Sequence, residues 1–191
     1  MKYVLASASP RRQQLLQQLL ADFTVVAPQV PEQQQPAETA TAYVERLAVA
    51  KARAGQQLVG ADHETLVIGS DTVVVSAGQV LEKPRDKADY QAMMSALSGQ
   101  VHQVLTAVAV ARGEQCEATV VRTDVHFKTL SATAIESYWA TGEPHDKAGG
   151  YGIQGAAGKF VRYLAGSYFA VVGLPLFETQ ELIERMQGAS A

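Results

Sequence analysis

Hydrophobic positions change period several times along the chain, and each change marks an element. Lys2 to Ala6 is a short apolar run that reads as a strand, after which Leu15, Leu16, Leu19 and Leu20 recur at helical spacing. Ser9 suits the cap of that helix and Pro10 its first position, where the missing N–H would be unpaired in any case; Asp22 closes the unit. Residues 28–41, PQVPEQQQPAETAT, have no period and predict a loop. From Ala42 to Ala54 the residues Tyr43, Leu47, Ala50 and Ala54 share one helical face, Lys51 lies one position round from it, and Gly55 is placed as the stop.

Leu66 to Val75, LVIGSDTVVV, is rich in β-branched residues and predicts a buried strand interrupted at Gly69-Ser70-Asp71. Ala77-Gly78 reads as a hairpin turn returning over Gln79 to Glu82. Asp86 then caps a helix that reaches Ser98, stops at Gly99 and turns Met93, Met94 and Leu97 to the core. Val104, Thr106, Val108 and Val110 alternate, as do Val121, Thr123, Val125 and Phe127, and Arg112-Gly113-Glu114 between them predicts an antiparallel pair. Ser131 caps a helix containing Ile135, Tyr138 and Trp139 that ends near Gly142. Residues 142–158 form a glycine-rich loop, Phe160 to Leu164 a short strand, and Pro175 opens a last helix with Leu176, Leu182, Ile183 and Met186. With no internal repeat and no separating linker, one domain is expected over residues 1–191.

At 191 residues and 47% hydrophobic composition the chain can bury a core without staples, so collagen-like, low-complexity and disordered classes fall away. The lone Cys116 cannot form an internal disulfide and no Cys/His group has zinc spacing, which fits a reducing compartment. The apolar start of MKYVLASASPRR is too short for an export signal, and nowhere do about 18 apolar residues run together, so no membrane span is expected. A net charge of −3 argues against a general nucleic-acid surface, and any anion site must be local.

Three constellations could carry chemistry. SASPRR places free backbone N–H groups of a helix start beside Arg11 and Arg12, where phosphate would sit well; a plain cap with two solvated arginines stands level with it. GSDT puts Asp71 inside an apolar run, where an unpaired carboxylate is costly and must pair, bind a metal or face a cleft; taken alone, a turn-forming Asp is slightly preferred. Downstream, Lys83 and Arg85 in LEKPRD read more readily as solvated charges than as phosphate ligands. HDKAGGYGIQG brings Lys147 and Gln154 together in a loop whose glycines let backbone approach a ligand, the alternative being a merely flexible loop. The lysine precedes the glycines, so this is not a P-loop. His63, His102, His126 and His145 are scattered singly and read as surface or strand residues. Basic groups, a strand carboxylate and a glycine-rich loop together suggest a phosphorylated substrate with a hard cation.

LASASPRR, GSDT, LEKPRD, SGQVHQVLT, HDKAGGYGIQG and GSYFAVVGLPL, in that order from residue 5 to residue 177, resemble the Maf family of nucleoside triphosphate pyrophosphatases over almost the whole chain. The resemblance implies an α/β fold, an elongated mixed sheet flanked by helices around a central cleft, similar to the inosine triphosphate pyrophosphatases, as one domain with two lobes as an allowed subdivision. It implies hydrolysis of a nucleoside triphosphate to the monophosphate and pyrophosphate with a divalent metal, Mg²⁺ first and Mn²⁺ or Co²⁺ as substitutes. Matched position by position, Asp71 is the proton acceptor, and Ser7, Arg11, Arg12, Lys51, Lys83 and Lys147 line the phosphate site. Glu32 is a metal partner with Asp71. Thr72 and Gln154, with Arg11, resemble the subgroup that acts on dTTP and UTP, and an amide suits the donor and acceptor edge of thymine or uracil.

The implied setting is cytoplasmic nucleotide house-cleaning, with modified pyrimidine nucleotides as further substrates, no nucleic-acid or membrane partner, and a homodimer as an allowed assembly. The alternatives are a 7-methyl-GTP pyrophosphatase and a nucleotide-sensing inhibitor of septum formation. The chain departs from the family pattern at Ala170, commonly Asn, at Glu82, commonly Gly, and in the run Gln33 to Gln35 beside Glu32.

Overall fold

The computed structural model describes residues 1–60 and 62–188. Its strands are β1 (Lys2–Ala6), β2 (Thr24–Val26), β3 (Thr65–Ser76), β4 (Gln79–Leu81), β5 (Val101–Arg112), β6 (Gln115–Phe127) and β7 (Val161–Ala165). The helices are α1 (Pro10–Leu16), α2 (Ala40–Val59), α3 (Lys87–Leu97), α4 (Ala132–Trp139), α5 (Tyr168–Val172) and α6 (Leu176–Gly188). The strands form a seven-stranded mixed sheet in the order β2-β1-β3-β5-β6-β7, with β4 on β3, so the α/β class holds. Among the described residues, no helix is long and apolar enough to cross a membrane. The chain divides into two compact units: residues 1–71, 106–121 and 173 onward in one, residues 72–105 and 122–172 in the other.

In the first unit β1 pairs in parallel with β2 and with β3, Leu5 meeting Val25 and Ile68. Ser9 caps α1 and Pro10 opens it, as expected, but the helix stops at Leu16. Beyond it Gln18 and Leu19 bond to carbonyls only three residues back, at 3.1 and 3.0 Å, so Leu19 lies in a tightened turn and Leu20, its N–H on the Leu16 carbonyl at 2.9 Å, follows it without continuing the helix. α2 begins earlier and ends later than its periodicity suggests, capped by Thr39 and stopped by Gly60 at φ 60°. Gly55 does not end it. A Cβ there would come within 2.7 Å of the Ala6 Cβ and 2.9 Å of Val67, so the missing side chain is what lets α2 lie on β1 and β3. Gly69 does the same from the strand, because its Cβ would strike the Ala48 carbonyl and come 2.5 Å from the Ala52 nitrogen. The buried face of α2 is Tyr43, Val44, Leu47, Ala48, Lys51, Ala52 and Gly55, which moves Lys51 inward and Ala50 and Ala54 off it. β3 runs unbroken through Gly69, Ser70 and Asp71, lying between β1 and β5 in the sheet.

In the second unit the Ala77-Gly78 turn, both residues at positive φ, closes the expected hairpin of β3 and β4. Asp86 caps α3 and Ser131 caps α4 through side-chain oxygens. The core gathers Tyr90, Met94, Leu97, Val104, Val125, Phe127, Ile135, Tyr138, Tyr151 and Phe160, with Tyr138 and Phe160 meeting edge to face at 5.5 Å. β7 pairs antiparallel with the end of β6. β5 is buried on both faces from Val104 to Ala111, so its alternation is not that of a half-solvated strand. β2 and α5 carry too few residues for periodicity to reveal them. Ala170, where an Asn is usual, is fully buried on α5 with its N–H on the Ser167 hydroxyl.

Candidate active site

In the first unit the chain leaves β1 at Ser7, whose Oγ accepts the Ser9 N–H at 3.2 Å and the Arg12 Nη1 at 3.4 Å. The Arg12 Nε donates to the Gly173 carbonyl at 2.8 Å, so this guanidinium is tied both to its own turn and to the residue that follows α5. The same carbonyl lies 3.0 Å from the Ser70 hydroxyl, which also reaches the Ala107 carbonyl at 2.8 Å. Asp71 follows Ser70 on β3 and is only 7% exposed. It is not a turn residue. The Lys51 ammonium donates to Asp71 Oδ1 at 2.7 Å and meets Glu32 Oε1, from the loop after β2, at 2.6 Å.

A carboxylate buried this deeply needs a charged partner, and α2 supplies it from the face that its two close-packed neighbours bring down onto the strand. Burial lowers the pKa of the Arg12 guanidinium, the negative charge of Asp71 opposes this, Arg11 lowers it further and Glu32 raises it. Arg11, Arg12 and Lys51 thus set three cations against the two carboxylates, a local excess of positive charge in a chain of net −3. Glu32 and Asp71 converging on one ammonium is a set of hard oxygen donors. It suits Mg²⁺, which takes one or two carboxylates and fills its shell with phosphate oxygens and water. Among the described residues no group of three or more His, Cys, Asp or Glu side chains gathers that could hold a metal ion.

The second unit holds Thr72, Lys83, Lys147 and Gln154. Thr72 is half-buried on β3, and Lys83 is exposed just after β4. Arg85 instead makes a two-pronged pair with Asp89 at 3.1 Å for each bond, which accounts for its charge. The glycine-rich segment is not a flexible loop. It winds into three short 3-10 turns, Glu143–Asp146, Ala148–Gly150 and Ala156–Phe160. Gly149 N–H donates to the Glu82 carbonyl at 3.0 Å and Gly152 N–H to the Tyr138 hydroxyl at 3.0 Å. Lys147 is half-buried, its ammonium on the Glu143 carbonyl at 2.7 Å and on Asp146 Oδ1 at 2.6 Å. Gln154 is exposed. Since Glu82 serves the loop through its backbone carbonyl, the departure from Gly leaves that bond in place.

Ser70, Gly173, Tyr138 and Glu143 were not legible as site residues, because each acts through a bond to a residue distant in sequence or through its backbone. Ser70 in GSDT, the Gly in VVGLP and the Glu at the head of the glycine-rich segment were the signals.

A mixed α/β sheet with a buried carboxylate in the middle of β3 and a second from the loop after β2, set among cations, defines a protein built to handle a polyanionic ligand. The chain belongs to the Maf family: the family model described as Maf-like protein matches residues 2–186. It is 55% identical over 184 residues to the dTTP/UTP pyrophosphatase of Vibrio cholerae serotype O1, covering 96% of this chain and 97% of that one. It is 58% identical over 179 residues to the dTTP/UTP pyrophosphatase of Yersinia pestis bv. Antiqua, covering 94% and 90%. Among solved structures, the Staphylococcus aureus Ham1 protein aligns at a TM-score of 0.46 and 14% identity, covering 66% of this chain and 71% of that one.

Proposed function

We propose that the protein is a cytoplasmic pyrophosphatase that hydrolyses dTTP and UTP to the nucleoside monophosphate and pyrophosphate, the activity named for its relatives of 55% and 58% identity. The observation that carries the mechanism is the Asp71 carboxylate, 7% exposed and fixed by Lys51 at 2.7 Å. Asp71 accepts a proton from water as the water oxygen attacks the α-phosphorus. The bond from that phosphorus to the α–β bridging oxygen breaks, and pyrophosphate leaves with the bridging oxygen's electron pair. Lys51 keeps Asp71 aimed through its 2.7 Å hydrogen bond to Oδ1. Ser7, Arg11, Arg12, Lys83 and Lys147 neutralise the triphosphate, whose charge grows on the leaving group. Glu32 and Asp71 would hold Mg²⁺, which when bound neutralises phosphate charge and orders the triphosphate. Gln154 and Thr72, with Arg11, read the pyrimidine edge.

The test is pyrophosphate release from dTTP, UTP, CTP and 7-methyl-GTP with and without Mg²⁺. Turnover of dTTP and UTP above the others, dependent on the cation, is expected. A preference for 7-methyl-GTP would overturn the substrate, and tight retention of nucleotide without turnover would make the chain a sensor.

A further inference from the structure

We infer that Glu143 is a specificity-determining positioning residue, whose carboxylate clamps the backbone beyond Gln154 and so aims the base-reading amide. The inference rests on the proposed function, in which Gln154 reads the pyrimidine.

Gln154 is exposed, so its aim depends on how the backbone on either side is held. Two residues before it, Gly152 N–H is fixed on the Tyr138 hydroxyl at 3.0 Å. Two residues after it, Ala156 N–H points at the Glu143 carboxylate, 3.2 Å from Oε1 and 3.1 Å from Oε2. Ala156 opens a 3-10 turn whose cap position, Gly155, offers no side-chain acceptor. The acceptor that a local Ser or Asp would ordinarily supply comes instead from thirteen residues upstream.

Gly155 shows that the space is kept for this carboxylate. Its φ of −97° is one that any residue adopts, so backbone conformation does not demand glycine. A Cβ would instead strike Glu143 Oε2 and lie 2.7 Å from its Cδ. The backbone of Glu143 has a second task, since its carbonyl accepts from the Lys147 ammonium at 2.7 Å. Side-chain substitution leaves that carbonyl in place, which separates the two roles: losing the carboxylate should loosen base reading while sparing the phosphate contact.

The experiment compares kcat/KM for UTP and CTP in the parent, Glu143→Ala, Glu143→Gln, Gly155→Ala, Gln154→Ala and the double variant Glu143→Ala/Gly155→Ala. Thermal melts and amide hydrogen exchange at Ala156 are followed in parallel. Glu143→Ala is expected to shrink the UTP to CTP ratio roughly tenfold, with kcat on UTP changing only a few-fold, and to speed Ala156 exchange roughly tenfold. Glu143→Gln keeps an oxygen for Ala156 and should recover most of both. Gly155→Ala, with the carboxylate present but displaced, should reproduce the Glu143→Ala ratio, and in the double variant it should add nothing further. The inference is overturned if Gln154→Ala shrinks the ratio and Glu143→Ala does not, or if Gly155→Ala keeps its full effect without the carboxylate. A parent with no UTP preference, or a ratio unmoved by Gln154→Ala, would overturn the base reading itself, whereas the Ala156 exchange still reports on the clamp.

Discussion

In the unit that contains β1 and α2, a strand, a helix and a loop each contribute one charged side chain, and Asp71, Lys51 and Glu32 meet over 2.6 to 2.7 Å. In the unit that contains α3 and α4, Lys147 and Gln154 both come from the stretch 142–158, and backbone N–H groups bonded to Tyr138, Glu143 and Glu82 give it shape. The first arrangement depends on burial, because low exposure is what makes the Lys51 and Asp71 charges need each other. The second depends on small volumes, because the loop can fold on itself only where side chains are missing. At Gly149 a Cβ would come 2.9 Å from Val74, and at Gly155 it would collide with Glu143. Charge substitutions should therefore be felt most in the first region and volume substitutions in the second.

The largest effect is expected from Asp71→Asn, which keeps shape and a hydrogen-bond acceptor for Lys51 but removes the proton acceptor. Turnover of dTTP should fall by about 10²- to 10⁴-fold, with the melting temperature lowered less than in Lys51→Met because Glu32 still pairs with Lys51. Near-parental turnover would remove Asp71 from the chemistry.

Lys51→Met comes next, because it leaves Asp71 buried without its counter-charge. Urea unfolding should show a loss of roughly 3 kcal/mol. Lys147→Met in the other region should cost well under ~1 kcal/mol, since its carboxylate partner Asp146 is 70% exposed and its other partner is a carbonyl. Equal losses for the two lysines would break the contrast between the regions.

A comparable effect is hidden in the second unit as a pH dependence. His102 is 2% exposed on β5, its Nε2 is 2.7 Å from the Tyr151 hydroxyl, and burial pushes its pKa down from 6.5 to about 4. The unfolded chain takes up a proton near pH 6.5 that the folded protein refuses until about pH 4. This contribution is complete above pH 6.5 and falls away as the pH drops towards 4, by up to roughly 3 kcal/mol. His102→Gln should flatten that acid limb in urea titrations at pH 4.5 to 7, and an unchanged limb would show that other groups produce it.

The smallest effect on the reaction is expected from Gln154→Ala, a roughly tenfold loss in the UTP to CTP ratio with kcat on UTP kept within a few-fold. A fall in kcat as large as that of Asp71→Asn would place this residue with the chemistry of the first region.

By itself the sequence determined what depends on neighbours a few residues away. Ser9, Asp86 and Ser131 cap their helices because an oxygen three residues before an orphan N–H can reach it in any context, and Ala77-Gly78 turns because its torsions are local. The ordered motifs likewise marked Asp71, Lys147 and Gln154. Only the tertiary structure decided what depends on distant partners. It showed that Gly55 and Gly69 are points of contact rather than breaks, because the atoms they make room for belong to Ala6, Val67 and α2. It extended β3 through Asp71 between β1 and β5, and added the three residues of β2 by pairing them with β1. It turned Lys51 inward to a carboxylate twenty residues away and set Glu143 beneath a backbone N–H thirteen residues on. Hydrophobic period and cap chemistry act within a turn or a strand, whereas a buried ion pair or a vacant Cβ is defined only once the chain has come back to meet itself.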